Sequence, residues 1–133
     1  MNDRPPKTVW PGLVYDDAHA ALRLLVDVFG FEERLVVPHE PTGGVAHAQL
    51  AWPEGGGVML GTAGREDSPT SLRPLGGSGV YVVTDSPDEL WARVVEAGCT
   101  VVQGLRDEHY GSRGFTIQDH EGNFWTFGTY RGE

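Results

Sequence analysis

Apolar and polar residues alternate along this chain in two rhythms. In "DDAHAALRLLVDVFGF", residues 16–31, Ala18, Ala21, Leu22, Leu25, Val26 and Phe29 fall at helical spacing. Asp17 is placed to cap that helix and Gly30 to stop it. A second helix is predicted in "SPDELWARVVEAG", residues 86–98, with Ser86 as cap, Pro87 at its first position and Glu89 completing a capping box. Leu90, Val94 and Ala97 form its apolar stripe, with Trp91 and Val95 beside it.

The other apolar runs are short and read as strands: "VWPGLVY" (9–15), "ERLVV" (33–37), "VAHAQLAW" (45–52), "GVMLGTA" (57–63), "SGVYVVTD" (78–85), "CTVVQ" (99–103), "RGFTIQ" (113–118) and "FWTFGTY" (124–130). "PHEPTGG" breaks the second of these. "PEGG" and "DHEGN" are hairpin turns, and "GLRDEHYGS" (104–112) reads as a loop. Residues 1–7 read as a flexible lead-in, and "REDSPTSLRPLGG" (65–77) as a polar linker.

The two halves can be laid over one another. A shift of 68 places Asp17 on Asp85, Leu22 on Leu90, Val26 on Val94 and Gly30 on Gly98; a shift of 67 places Leu50 on Ile117, Gly55 on Gly122 and Gly61 on Gly128. Each half therefore reads β-α-β-β-β. The period is too long for a solenoid and implies a paired-module domain. The expected architecture is α+β, one domain over 1–133, with module one at 8–64 and module two at 78–130. The modules are expected to form one curved, incomplete-barrel sheet with helices outside and a hollow inside.

Composition narrows the partners. A chain of 133 residues can bury a core without staples, and 19 glycines imply many tight turns. The formal charge of −9 opposes nucleic-acid binding, which depends on Lys and Arg neutralising phosphates. It would favour cationic ligands, although solubility alone accounts for it. The single cysteine, Cys99, rules out an internal disulfide and suits a reducing cytoplasm. No apolar run reaches membrane-spanning length and no signal-peptide core is visible, so neither a membrane nor export is expected.

The duplicated frame, the passage "VYDDAHAALRLLVDVFGFEE" and the terminal "YGSRGFTIQDHEGNFWTFGTY" together resemble the vicinal oxygen chelate superfamily. This groups glyoxalase I, extradiol dioxygenases and the fosfomycin- and bleomycin-resistance proteins. The turn "DHEGN" is similar to that superfamily's "D-P-[DE]-G-N", with His120 in place of proline. Catalytic members hold a divalent metal through His, Glu or other carboxylates on strands one, four, five and eight. The resemblance carries those positions onto Trp10, Met59, Ser78 or Gly79, and Thr126. None is a His or carboxylate. Indole and backbone hydrogens do not coordinate a hard cation, and thioether and hydroxyl do so poorly. No metal and no cofactor are therefore expected.

If those positions face inward as the resemblance implies, the hollow is lined by Trp10, Val14, Met59, Tyr81, Phe124 and Thr126, an apolar and aromatic surface suited to flat or amphipathic molecules. Among polar side chains, His47 on a strand and Arg113 at a hairpin are the candidates for catalysis. His47 could act as a general base; Arg113 could anchor an anion or pair with Asp119 or Glu108 as structure. Trp91 and Trp125 read as core, and Cys99 as a small buried hydrophobe. Bleomycin-resistance proteins work without metal, as homodimers with drug-holding grooves, so the resemblance implies a homodimeric small-molecule binder. Two alternatives stay open: a glyoxalase-like lyase, isomerase or dioxygenase with non-standard ligands, and a dimerisation domain whose hollow has collapsed.

Overall fold

The computed structural model describes residues 8–133; the lead-in expected over residues 1–7 lies outside the described residues. Module one runs β1 (Gly12–Tyr15), α1 (Ala18–Arg23), β2 (Glu32–His39), β3 (Gly44–Ala51) and β4 (Gly57–Thr62). Module two runs β5 (Gly79–Val83), α2 (Pro87–Glu96), β6 (Thr100–Asp107), β7 (Arg113–Gln118) and β8 (Phe124–Gly128). The sheet orders are β1-β4-β3-β2 and β5-β8-β7-β6, the same topology written twice, with no closed barrel. In each, the first strand runs parallel to the fourth and the remaining neighbours are antiparallel. The α+β class and paired modules are as the duplication implies. The eight strands divide into two four-stranded sheets, with no ladder between them among the described residues.

One buried cluster joins the modules. Leu13, Tyr15, Leu50, Val58 and Leu60 of the first sheet share it with Phe115, Ile117, Trp125 and Phe127 of the second, and with Leu25, Phe29, Leu90 and Val94 from the helical segments. Phe29 sits 5.2 Å from Trp125 and 4.9 Å from Phe127, centroid to centroid, so module one's helical segment seals module two's sheet. Strand alternation leaves Gly12, Val14, Met59 and Gly61 on the opposite face of the first sheet.

The turn "DHEGN" is held by its own first residue. The buried Asp119 carboxylate accepts from the backbone N–H of Glu121 and Asn123, both at 3.0 Å, from Trp125 Nε1 at 3.0 Å and from Tyr15 Oη at 2.7 Å. Tyr15 lies 104 residues away in the other module, so this carboxylate is both turn anchor and module clasp. Glu121 adds a second tie by accepting from the N–H of Asp16 at 2.6 Å and of Asp17 at 2.8 Å.

Several local expectations need correction. The first helix is α-helical only to Arg23; Leu24–Phe29 widen into a π-helix, where Gly30 and Phe31 both donate to the Leu25 carbonyl. Arg93 of α2 accounts for that ending, its Nε donating to the Val28 carbonyl at 2.9 Å and its Nη2 to that of Phe29 at 3.3 Å. Gly30 then turns the chain at φ +101°, a conformation costly for other residues. The Ser86 hydroxyl makes no capping bond, its backbone dihedrals lying off the capping geometry, and its N–H, which Glu89 would accept in a capping box, is taken by Thr84 Oγ1 at 3.0 Å. β2 continues through Pro38 to His39; an edge strand has an unpaired side where a missing N–H costs no ladder bond. Gly104–Asp107 belong to β6 rather than to a loop.

Candidate functional site

The cleft-facing surfaces fall into separate basins. Below the connection between modules, a cavity of about 300 Å3 lies on the first sheet, floored by Gly12, Val14, Met59, Gly61 and Ala46. His47, Arg65, Thr70 and Arg73 form its polar side. A smaller one, about 50 Å3, lies on the second sheet among Tyr81, Gln103, Tyr110, Ser112 and Thr126. A third, about 340 Å3, opens between modules beside Trp52, Glu54, Val80, Tyr81 and Arg131.

Of the six residues expected to line one hollow, Val14 and Met59 share the first basin, while Tyr81 and Thr126 share the second. Tyr81 also borders the intermodule cavity and is tied down by donating to the Tyr130 carbonyl at 2.7 Å. Thr126 and Thr116 join hydroxyls at 2.8 Å across β8 and β7. Trp10 and Phe124 line none of these basins. The Trp10 indole lies over Gly57, where a Cβ would come within 2.7 Å of the ring, and Phe124 is exposed at the start of β8.

His47 lies in the first basin, 2.9 Å through Nε2 from the side-chain amide of Gln49. Arg113 is outside all three, and its guanidinium clamps Asp88 at 2.8 and 3.1 Å and Asp107 at 3.3 Å. Its partners are therefore structural, though they are neither Asp119 nor Glu108. Cys99 is half-buried; burial foremost, then the nearby negative charge of Asp119, pushes its thiol up, which disfavours a nucleophilic thiolate. Trp125 is fully buried and Trp91 packs on Phe115 at 5.2 Å, as core aromatics do.

Sequence reasoning passed over Arg65 and Arg73, which sit in the polar linker. That linker is tied down: Ser71 is buried, accepts from the Arg65 N–H at 2.9 Å and donates to nearby carbonyls. A short 3-10 helix, Pro69–Leu72, then carries Arg73 back to donate to the Gly12 carbonyl. The only sequence signal was two arginines within one short linker of a chain whose formal charge is −9.

A family model described as the Glyoxalase/Bleomycin resistance protein/Dioxygenase superfamily matches residues 7–127. The chain belongs to that superfamily. It is 37% identical over 127 residues to an uncharacterized protein of Mycobacterium bovis, covering 89% of this chain and 80% of that one. Among solved structures it resembles TioX from Micromonospora sp. ML1, with TM-score 0.72, 32% identity, and 91% and 98% of the two chains covered. The fosfomycin resistance protein FosX from Listeria monocytogenes, solved with Mn(II) and sulfate, shares the fold at TM-score 0.61 and 12% identity, over 96% and 94% of the chains.

The superfamily implies a divalent metal, and the residues here do not fit one. The positions that the resemblance assigns to ligands hold Trp10, Met59, Ser78 or Gly79, and Thr126, which offer no imidazole or carboxylate, and Met59 and Thr126 line different basins. Among the described residues no three His, Cys, Asp or Glu side chains gather as a metal site. No helix among them is long and apolar enough to cross a membrane.

Proposed function

We propose that this superfamily member binds a small aromatic or amphipathic molecule in its clefts without a metal. The donor set supports the reading: at the positions the resemblance assigns to ligands stand an indole, a thioether, a serine or glycine, and a threonine hydroxyl. A thioether and glycines supply apolar surface and room for a flat ligand, where a hard cation needs charged oxygen or imidazole donors. The cavities of about 300 and 340 Å3 support it, as both lie at the low end of ordinary small-molecule sites.

The same reading includes a homodimer in a reducing cytoplasm. Its support is apolar surface on the outer strands, where Leu35, Val37, Val101 and Val102 are exposed, and the single half-buried cysteine. Sedimentation of the full chain at micromolar concentration tests it: a mass of two chains is expected, and a single chain at all concentrations sinks it.

Thermal unfolding against a panel of neutral and charged aromatic compounds, in excess chelator, tests the binding reading. A ligand at 100 times its Kd raises stability by about 2.7 kcal/mol. Concentration-dependent stabilisation that persists in chelator is expected. Stabilisation abolished by chelator, with recovery on adding manganese, would place the superfamily's metal chemistry here instead.

A further inference from the structure

We infer that the basin on module one selects an anionic ligand, a small carboxylate carrying a flat apolar body, and that Arg65 and Arg73 are its anchors. The inference rests on the small-molecule reading above and names the ligand class for one of its clefts.

The Arg65 side chain is 9% exposed, an unusual position for a residue so costly to desolvate. Its guanidinium is held from behind. Nε donates to the Thr62 carbonyl at 2.9 Å, and Nη1 reaches Asp67 at 3.3 and 3.4 Å. Nη2 makes no hydrogen bond to the described residues and stays open to solvent. It lies over Gly61, where an added Cβ would stand 3.1 Å from it, on the floor of the basin. A donor left open at the floor of a lined cavity, with its other nitrogens fixed, is geometry prepared for an acceptor from outside.

Arg73 lines the same cavity, exposed, with one nitrogen on the Gly12 carbonyl. No Asp or Glu lines the basin, in a chain whose formal charge is −9. Asp67, the one carboxylate paired with Arg65, is itself 57% exposed and pairs with His39 at 3.4 Å as well. The floor of the basin is Val14, Met59 and two glycines, flat and apolar. Two cations beside an apolar floor, in a cavity of about 300 Å3, match a ligand with one charged end and a ring or two behind it. A carboxylate suits the planar guanidinium donors. The composition alone favours cations as ligands; the local arrangement reverses that expectation.

The test uses 1-naphthoate and its neutral counterpart 1-naphthamide, titrated into 15N-labelled full-length protein. Amide shifts at Gly12, Met59 and Gly61 and the Arg65 Nε signal are followed. Naphthoate is expected to move those signals and to bind at least about tenfold more tightly than naphthamide, a difference of about 1.4 kcal/mol. Arg65→Ala is expected to erase that preference. Because Arg65 is buried and its backbone is bonded to Ser71 of the linker, exposed Arg73→Ala and Gly12→Asp serve beside it; each should cut naphthoate affinity several-fold with a well-dispersed spectrum retained. Equal binding of both probes, unchanged by the arginine variants, overturns the anion preference and leaves the binding reading standing. Naphthoate shifts confined to other surfaces, or none at Gly61 up to millimolar probe, overturn it as well. The binding reading is judged separately, by whether neutral aromatics move either cleft.

Discussion

Removing the Asp119 carboxylate tests the claim that one buried acid clasps both modules. In Asp119→Ala, Tyr15 Oη and Trp125 Nε1 lose acceptors at 2.7 and 3.0 Å, and both residues are fully buried. A buried donor left unsatisfied costs about 1–3 kcal/mol, so the two side-chain donors alone cost about 4 kcal/mol. The turn amides of Glu121 and Asn123 lose their acceptor too. Against a typical total of about 5–15 kcal/mol, that is enough to unfold much of the population on mild warming. Urea unfolding followed by circular dichroism measures it. Asp119→Asn, which keeps one carbonyl acceptor, should cost about half as much. A double-mutant cycle with Tyr15→Phe should give a coupling of at least about 1 kcal/mol. A loss below about 1 kcal/mol for Asp119→Ala, or strict additivity with Tyr15→Phe, refutes the reasoning.

Other consequences follow from the same geometry. Burial foremost, then the Asp119 charge, holds the Tyr15 phenol far above its ordinary value near about 10. Its contribution is therefore fully present below about pH 10 and is lost above it, as the unfolded chain ionises first, at about 1.4 kcal/mol per pH unit. Stability measured between pH 10 and 12 should fall less steeply in Tyr15→Phe than in the parent. Arg93→Ala removes the two carbonyl caps on the π-helical turn and should cost about 1 kcal/mol in urea unfolding, with faster amide exchange at Gly30 and Phe31. Gly57→Ala drives a Cβ to 2.5 Å from the Leu50 carbonyl and 2.7 Å from the Trp10 ring. It should cost about 1–3 kcal/mol and shift tryptophan emission as the indole is displaced.

Much of the architecture was legible because it is periodic. The stripe from Ala18 to Phe29 and the alternation in β4 and β8 report which face is buried, and a duplicated pattern repeats the message. What was hidden depends on partners distant in sequence. Nothing in Leu24–Phe29 announces a π-helix, because the widening is completed by Arg93, more than 60 residues on. The capping box at Ser86 and Glu89 was a sound local reading that Thr84 pre-empted. Pro38 reads as a breaker unless its strand is known to be an edge.

The candidate site was legible in character more than in place. Val14 and Met59 share a basin as strand parity implies, but parity does not say that Tyr81 and Thr126 face a different one. Arg65 escaped notice because a polar linker carries no period, and its burial comes from Ser71 and the 3-10 turn folding the linker onto the sheet. Arg113 attracted notice as a lone cation at a hairpin, and its geometry is spent on Asp88 and Asp107.

The most direct test of metal-independent binding is a titration with Mn2+ followed by 15N–1H spectra of the full chain. Equimolar Mn2+ should produce no selective broadening at the amides of Trp10, Met59, Gly79 and Thr126, leaving only weak, scattered effects near surface carboxylates. Selective loss of those four signals at equimolar metal would contradict the account, since it would mean that a cation is held where the side chains offer no fitting donors.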